Sequence, residues 1–340
     1  MPHTFRQGRH GIISRVDPLV RAGRPRPALF PKQQVSDTGE EPARGPAADQ
    51  GVRPTACRIP TPGDAWCGHG SLRGRAMWPV HPHPAPIRWT IANMLHDRVA
   101  LVTGAATGIG EAIARLFAQH GAQVYLLDID AARNEAVAAS IRAESGRADA
   151  ITADVTDGPA LGAIARNAIE RHGRIDALIN NAGIYPRRLF VDMTEAEWDH
   201  MQDVNLKSMF HAIKAVAPHM IERRSGKIVN ISSVTFHLGT AKLSHYVASK
   251  GGVIGLTRSL AREFGEHNVY VNCITPGAIQ TESEPRFVTD ADARVFLESQ
   301  SIKRRLTPLD VARAALFLAC EWSDGVTGQC LNVDAGWYMH

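Results

Sequence analysis

Residues 98–130 read RVALVTGAATGIGEAIARLFAQHGAQVYLLDID. An apolar run of strand length leads into a glycine-rich turn, an amphipathic helical pattern and a second apolar run ending in an acid, which together make a complete βαβ unit. Gly104, Gly108 and Gly110 stand at GxxxGxG spacing rather than the commoner GxGxxG. Such a turn lets backbone approach a pyrophosphate, and the positive N-terminus of the following helix attracts it without a cationic side chain. The cradle is therefore assigned to Gly104, Thr107, Gly108, Ile109 and Gly110. A glycine pattern alone says little; the strand before it and the helix after it give it meaning. Asp128 closes the second run, where a carboxylate accepts hydrogen bonds from an adenosine ribose diol and repels a 2′-phosphate. Neither Thr107 nor Ile129 offers a cation to such a phosphate, so the expected coenzyme is NAD rather than NADP. The plain alternative for Asp128 is a solvated acid at a strand end.

Outward from this unit, strand-like and helix-like segments alternate. Strands are expected at 98–103, 123–127, 148–152, 175–179, 227–232, 270–274 and 330–333. The alternation predicts an α/β fold, a Rossmann-like doubly wound parallel sheet of seven strands with helices on both faces. Thr194 with Glu197 predicts a capping box, and Thr307-Pro308 places proline at a first helical position. The segment 195–221 is expected as one long helix and 243–265 as another, each with an apolar face wide enough to pack on a neighbour.

The second of these helices carries HYVASKGGVIGLTR, in which Tyr246 and Lys250 share a face at i and i+4. Ser233 lies thirteen residues upstream in KIVNISS, at the end of an expected strand. A phenol of ordinary pKa near 10 is a poor base at neutral pH, but an ammonium nearby favours the phenolate. The expectation is a lowered Tyr246 pKa, a proton-shuttling phenol, and a Ser233 hydroxyl bonded to a substrate oxygen where C–OH and C=O interconvert. YxxxK also occurs on helices with no catalytic part, so the surrounding motifs decide.

Residues 94–340 resemble the short-chain dehydrogenase/reductase family. The resemblance rests on TGAATGIG, Asp154 with Val155, Asn180-Asn181-Ala182-Gly183, Asn205, Ser233, Tyr246, Lys250, Pro276-Gly277 with Thr281, and GQCLNVDAG, all in family order. It implies that Asp154 and Val155 flank an adenine and that Asn180, Asn181, Ala182 and Gly183 run along the coenzyme. Pro276, Gly277, Ile279 and Thr281 would meet the nicotinamide end. Ser233, Tyr246, Lys250 and Asn205 would be the catalytic set, with Asn205 at a helix kink holding a water that links Lys250 to solvent. Tyr246 and Lys250 would also contact the nicotinamide ribose. The implied enzyme transfers hydride between NAD and a carbon bearing oxygen, and is a homotetramer or homodimer built on the two long helices. SVTFHLG, QSIKRRLTP and VDAGW are similar to bacterial sugar 1-dehydrogenases, while NNAGIYP and the YVASK block resemble aromatic-alcohol and pyridoxal dehydrogenases. The expected substrate is a small secondary alcohol, polyol or aldose. A 3-oxoacyl-carrier-protein reductase and a non-catalytic NAD-sensing protein are the alternatives.

A pocket around Ser233 and Tyr246 is expected between 184–190, 234–238 and an insertion from Glu282 to Arg305 that acts as a lid. Arg286, Arg294, Lys303, Arg304 and Arg305 in that insertion read as a solvated face or as an anion site. His237, His245 and Arg187 could bond a polyol; Tyr185, Phe236 and Trp337 could enclose an aromatic alcohol. The histidines show no HxxxH or HExxH grouping, so no metal is expected.

Composition divides the chain. The first 93 residues hold 14 of the 20 prolines and a charge of +7, against −3 for the remainder. Without a periodic apolar pattern such a segment cannot offset chain entropy by burial, so it is expected to be a disordered extension, one that an upstream start codon assigned in error would produce. Because the net charge of +4 belongs to that segment, no nucleic-acid partner is expected from the body. Five cysteines form no disulfide framework, and no apolar run reaches the roughly 18 residues of a membrane span. The reading is a cytoplasmic enzyme with reduced thiols, no membrane partner and a small-molecule substrate.

Overall fold

The computed structural model describes residues 93–282 and 288–339. The expected disordered extension (but for its last residue) and Arg286 lie outside the described residues. Seven strands among the described residues form one parallel sheet: β1 Val99–Thr103, β2 Gln123–Asp128, β3 Arg147–Thr152, β4 Ala177–Asn180, β5 Gly226–Ile231, β6 Val269–Pro276 and β7 Cys330–Val333. Their order is β3-β2-β1-β4-β5-β6-β7, the doubly wound arrangement predicted from the alternation. The helices are α1 Gly108–Gln119, α2 Ala131–Ala143, α3 Gly158–His172, α4 Glu195–Gln202, α5 Ser208–Arg223, α6 Thr235–Leu238, α7 Ser244–Phe264, α8 Asp290–Ser299 and α9 Pro308–Ala319.

The period of two along each strand divides the core into two layers. Ala100, Val102, Val124, Leu126 and Ile179 pack with Ile113, Phe117, Ile141 and Val311, which places α1, α2 and α9 on one face. Val99, Leu101, Tyr125, Leu127 and Leu178 point the other way, onto Leu161, Ile213, Val216 and Val253 of α3, α5 and α7. At the N-terminal edge, buried Asp176 accepts from Val99 N at 2.9 Å and from Arg174 at 2.6 and 2.7 Å, with Arg98 and Arg223 at 3.4 and 3.6 Å. One carboxylate thus ties β1 and β4 to α5.

The winding of the sheet reverses between β1 and β4, and in open α/β sheets a ligand crevice forms beyond the strand ends at that point. Helix 195–221 is not continuous as expected. A π-helical turn, Asp203–Lys207, separates α4 from α5. Buried Asn205 accounts for the irregularity: its Oδ1 accepts from Ile184 N and its Nδ2 donates to Ile184 O, both at 2.8 Å, which draws the helix wall onto the loop after β4. The predicted capping box is present, with Glu197 N donating to Thr194 Oγ1 at 3.2 Å and Thr194 N to Glu197 at 2.9 Å.

Candidate active site

A cleft of about 960 Å³ opens at the winding reversal. Gly104 and Gly108 turn the chain there with φ of +64° and +58°, a region that disfavours side chains. Gly110 lies behind the turn, where a Cβ would stand only 2.0 Å from Gly104 O, so the packing of helix on turn excludes any side chain. Across the reversal, Asn181 Nδ2 donates to Thr103 O and Gly104 O, both at 3.0 Å, and Ala182 N donates to Thr103 Oγ1 at 3.1 Å. Asn181 therefore lines the cleft while its amide locks the glycine turn to the β4 loop.

Of the residues predicted to meet a dinucleotide, Gly104, Thr107, Gly108, Ile109, Asp128, Asp154, Val155, Asn181, Ala182, Gly183, Pro276, Gly277, Ile279 and Thr281 all line this one cleft. Asn180 does not; it is buried and donates to Asn230 Oδ1 at 2.8 Å. Each Asp128 oxygen accepts one backbone N–H, from Ala106 and from Asp130, at 3.0 Å. A carboxylate has about four acceptor positions, so two remain for a ribose diol. Asp154 accepts from Thr156 N and Oγ1 at 2.8 Å, and these bonds hold it below the usual carboxylate range. An open, amide-rich turn at a helix N-terminus with a strand-end acid beyond it fits an adenine dinucleotide. Thr107 and Ile129 are uncharged, but the cleft holds a cation that the reading of those two flanks did not consider. Arg133, one turn into α2, also lines the cleft, 3.6 Å from Asp130.

Ser233, Tyr246 and Lys250 converge on the other end of the cleft. Ser233 follows β5, is buried, and accepts from Thr235 N at 3.2 Å and Thr235 Oγ1 at 2.9 Å. Lys250 is 3% exposed; its Nζ donates to Ile231 O at 2.8 Å and lies 5.6 Å from the Tyr246 ring centre. The expected lowering of the phenol is not what this geometry gives. Burial pushes Tyr246 up to about 12, against the opposing pull of its hydrogen bond with Ser233. Burial likewise pushes Lys250 down to about 8. Desolvation acts on both groups because each would carry charge in a confined apolar setting.

Asn205 sits behind the cleft rather than on it, against Ile184, Ser249 and Gly183. His245 is 1% exposed and does not line the cleft; its carbonyl accepts from Gln202 of α4 at 3.0 Å. His237 stacks on Tyr338 at 4.6 Å, Phe236 packs over Gly251, and Trp337 meets Phe296 at 5.3 Å. From the expected walls 184–190 and 234–238 the cleft takes Ile184, Tyr185 and Thr235, with Tyr185 edge-on to Tyr246 at 6.4 Å, and it adds Leu243. In the insertion, Lys303 donates to Glu298 O at 2.8 Å and to Gln300 O, and Arg304 pairs with Asp310 at 2.7 Å. Sequence reading missed Arg133, Thr156, His200 and Asp203 as cleft residues. The i, i+3 steps from Asp130 and Glu197 could have hinted at Arg133 and His200; no helical step from those two residues reaches Thr156 or Asp203.

A family model described as enoyl-(acyl carrier protein) reductase matches residues 104–338. The 3-oxoacyl-(acyl-carrier-protein) reductase FabG of Thermotoga maritima is 39% identical over 242 residues, 71% of this chain and 98% of that protein. A Rhizobium meliloti protein named "Probable galactose dehydrogenase GalD" is 39% identical over 244 residues, 71% of this chain and 95% of its own length. Among solved structures, a 7α-hydroxysteroid dehydrogenase complexed with NADH and 7-oxo glycochenodeoxycholic acid superposes with a TM-score of 0.69 at 36% identity, covering 72% of this chain and 96% of that one. With the parallel sheet, the glycine turn and the Ser233, Tyr246 and Lys250 cluster in one cleft, these matches establish that the chain belongs to the short-chain dehydrogenase/reductase family, nicotinamide-dependent oxidoreductases acting on CH–OH groups.

Proposed function

We propose that the protein interconverts a small secondary alcohol, polyol or aldose with its carbonyl form, using NAD. The observation that carries this reading is the meeting of Ser233, Tyr246 and Lys250 at one end of a cleft whose other end holds Asp128. When bound, the nicotinamide ring takes up or supplies the hydride. Tyr246 holds the proton that the substrate oxygen gains or loses, and Ser233 fixes that oxygen by hydrogen bonding. Lys250 places a positive charge beside the phenol and favours its ionised form. Asn205 positions the loop carrying Gly183 and Ile184. Asp128 orients the ribose of the adenosine half and disfavours a 2′-phosphate, while Asp130 draws the charge of Arg133 away from it.

A 3-oxoacyl-carrier-protein reductase is the second reading, favoured by the relatives of that name. Basic residues of the insertion and of the 184–190 segment, being engaged within the chain, favour a small neutral substrate over an acidic carrier. Lys303 and Arg304 are engaged within the insertion, Arg188 pairs with Glu197 at 2.7 Å, and Asp292, held low by Thr289, also feels Arg187. No helix among the described residues is long and apolar enough to cross a membrane. We place the enzyme in the cytoplasm, as a homotetramer or homodimer associating through the outer faces of α5 and α7, where Phe210 is half exposed. Residues 94–340 are proposed to form its one folded domain. The test is a screen of aldoses, polyols, aryl alcohols and β-hydroxyacyl thioesters with NAD and NADP, repeated with Tyr246→Phe. Turnover of an aldose or polyol with NAD, lost in the variant while NADH still binds, is expected; turnover confined to acyl thioesters with NADP overturns the reading.

A further inference from the structure

Cys273 and Cys330 are register partners on the adjacent parallel strands β6 and β7, although 57 residues separate them. Val269 and Val271 of β6 face the helix layer that includes α7, so Cys273, in step with them, faces it too. Its thiol donates to Cys330 Sγ at 2.9 Å. Strand neighbours in a sheet lie about 4.8 Å apart, inside the Cα separation that a disulfide spans. Both cysteines are free thiols in the structure. Neither belongs to the cleft.

We propose that Cys273 and Cys330 form a thiol pair that a hydroperoxide converts, reversibly, into a disulfide. The two thiols are unlike in a way that suits this chemistry. Cys273 is fully buried, whereas Cys330 keeps part of its surface accessible. The Cys330 thiol is drawn down to about 7 by the hydrogen bond from Cys273, with Arg258 of α7 adding to the effect. The partner thiol is pushed up by the same bond and by burial. Cys330 is thus the attacking thiolate and Cys273 the resolving thiol. In the first step the Cys330 thiolate displaces an alkoxide or hydroxide from the peroxide O–O bond and becomes a sulfenic acid. In the second, Cys273 sulfur attacks the sulfenic sulfur and water leaves with the thiol proton. Overall two thiols and one hydroperoxide give one disulfide, one alcohol or water, and one further water. A dithiol reductant reverses it by exchange.

The structural consequence lies at the sheet edge. β7 is an edge strand, paired among the described strands with β6 alone. Three residues beyond the pair, β6 ends at Pro276, and Gly277, a cleft residue, packs against Asp334 just past β7. A covalent tie at the pair would therefore hold the floor of the nicotinamide end of the cleft. The experiment is titration of the full chain with hydrogen peroxide, followed by alkylation, non-reducing peptide mapping and thermal melts. A Cys273–Cys330 linked peptide is expected, with the chain lighter by two hydrogens. Tm should rise by roughly 8–15 °C if the full loop-closure entropy is realised. Dithiothreitol should reverse both changes, Cys320→Ser should preserve them and Cys330→Ser should abolish them. Separate alkylation of Cys273 and Cys330 after peroxide, or Cys330 recovered as sulfinic acid beside a free Cys273, overturns the proposal. The wild-type map decides this even where a variant does not fold.

Discussion

Replacing Gly110 with alanine is the sharpest perturbation of the dinucleotide cradle. The new methyl carbon would stand 2.0 Å from Gly104 O, 2.6 Å from Asn181 Nδ2 and 2.8 Å from Gly104 C. Carbon and oxygen approach comfortably only to about 3.3 Å, so the turn must withdraw by about 1.3 Å or the helix must tilt. The glycine turn cannot withdraw alone, because the Asn181 amide joins it to the β4 loop through two 3.0 Å bonds. Overpacking of this kind costs about 1–3 kcal/mol where neighbours can yield, and here the neighbour is backbone. The displaced groups are those that would hold pyrophosphate, so NADH affinity should fall by roughly 10- to 100-fold, each tenfold costing about 1.4 kcal/mol. Fluorescence titration with NADH measures the affinity, and a thermal melt run in parallel measures stability. Gly255→Ala serves as the contrast, because its Cβ would meet nothing within 4 Å, and alanine should stabilise α7 by up to about 1 kcal/mol without changing NADH binding. NADH affinity within twofold of wild type for Gly110→Ala, with an unchanged melt, would refute the argument.

Asp128→Ala should weaken NAD binding and narrow its advantage over NADP, since the carboxylate that binds the ribose diol and repels a 2′-phosphate is removed while Asp130 still holds Arg133; an unchanged ratio of kcat/KM for the two coenzymes would contradict the role assigned to Asp128. Asp176→Asn should lower stability by about 3 kcal/mol, because it breaks a buried pair yet leaves arginines partly open to water, and Tm should fall by roughly 6–12 °C. Burial raises the Asp176 carboxyl, but its bonds to Arg174 and Val99 N outweigh that and set it below its ordinary value. A depressed folded pKa stabilises above the unfolded value near 3.9 and loses that contribution as pH falls through the folded one, so the gap between wild type and variant should persist at pH 7 and 5 and close below pH 4. Urea unfolding at the three pH values tests it.

Sequence reading located every strand of the sheet to within two residues because the central strands are apolar runs bounded by turn chemistry and the alternation with helices locates the more polar β3 and β7. It also placed most of the cleft, since residues that end parallel strands are gathered at one edge of a sheet. What it missed depends on lateral neighbours. Arg133 reaches the coenzyme end only because α2 starts directly after β2, with Asp130 accepting from Arg133 N at 3.1 Å. Periodicity ran one helix through Asn205, although the family resemblance implied a kink there; the break itself depends on Ile184, 21 residues away. Cys273 meets Cys330 only because β7 docks beside β6 in one particular register. Periodicity reports which face of an element is buried, but not which element lies against it.

The phenol pKa is the instructive miss, because spacing supplied the attractive term and left out the desolvating one. An ammonium about 5.6 Å from the Tyr246 ring stabilises a phenolate by about 3 kcal/mol at an effective dielectric of 20, or roughly two pH units. Burial, working against the hydrogen bond with Ser233, sets the phenol near 12 before that attraction acts, so the ammonium offsets the rise without carrying the phenol below its ordinary value. With Lys250 near 8, the first proton leaves the pair near pH 8, and that proton belongs to the couple rather than to either residue. Of the singly deprotonated form, on the order of 1% is phenolate beside ammonium, a ratio fixed by the two-unit gap that remains after attraction. Alcohol oxidation, which needs that phenolate, should therefore rise about tenfold per pH unit below 8 and level off above it. Carbonyl reduction, which needs the fully protonated pair, should be flat below pH 8 and decline beyond. Pre-steady-state rates in both directions across pH 6–10 give the two profiles, and Lys250→Met should erase the inflection near 8. Parallel profiles, rising or falling together, would show that the pair does not gate the proton.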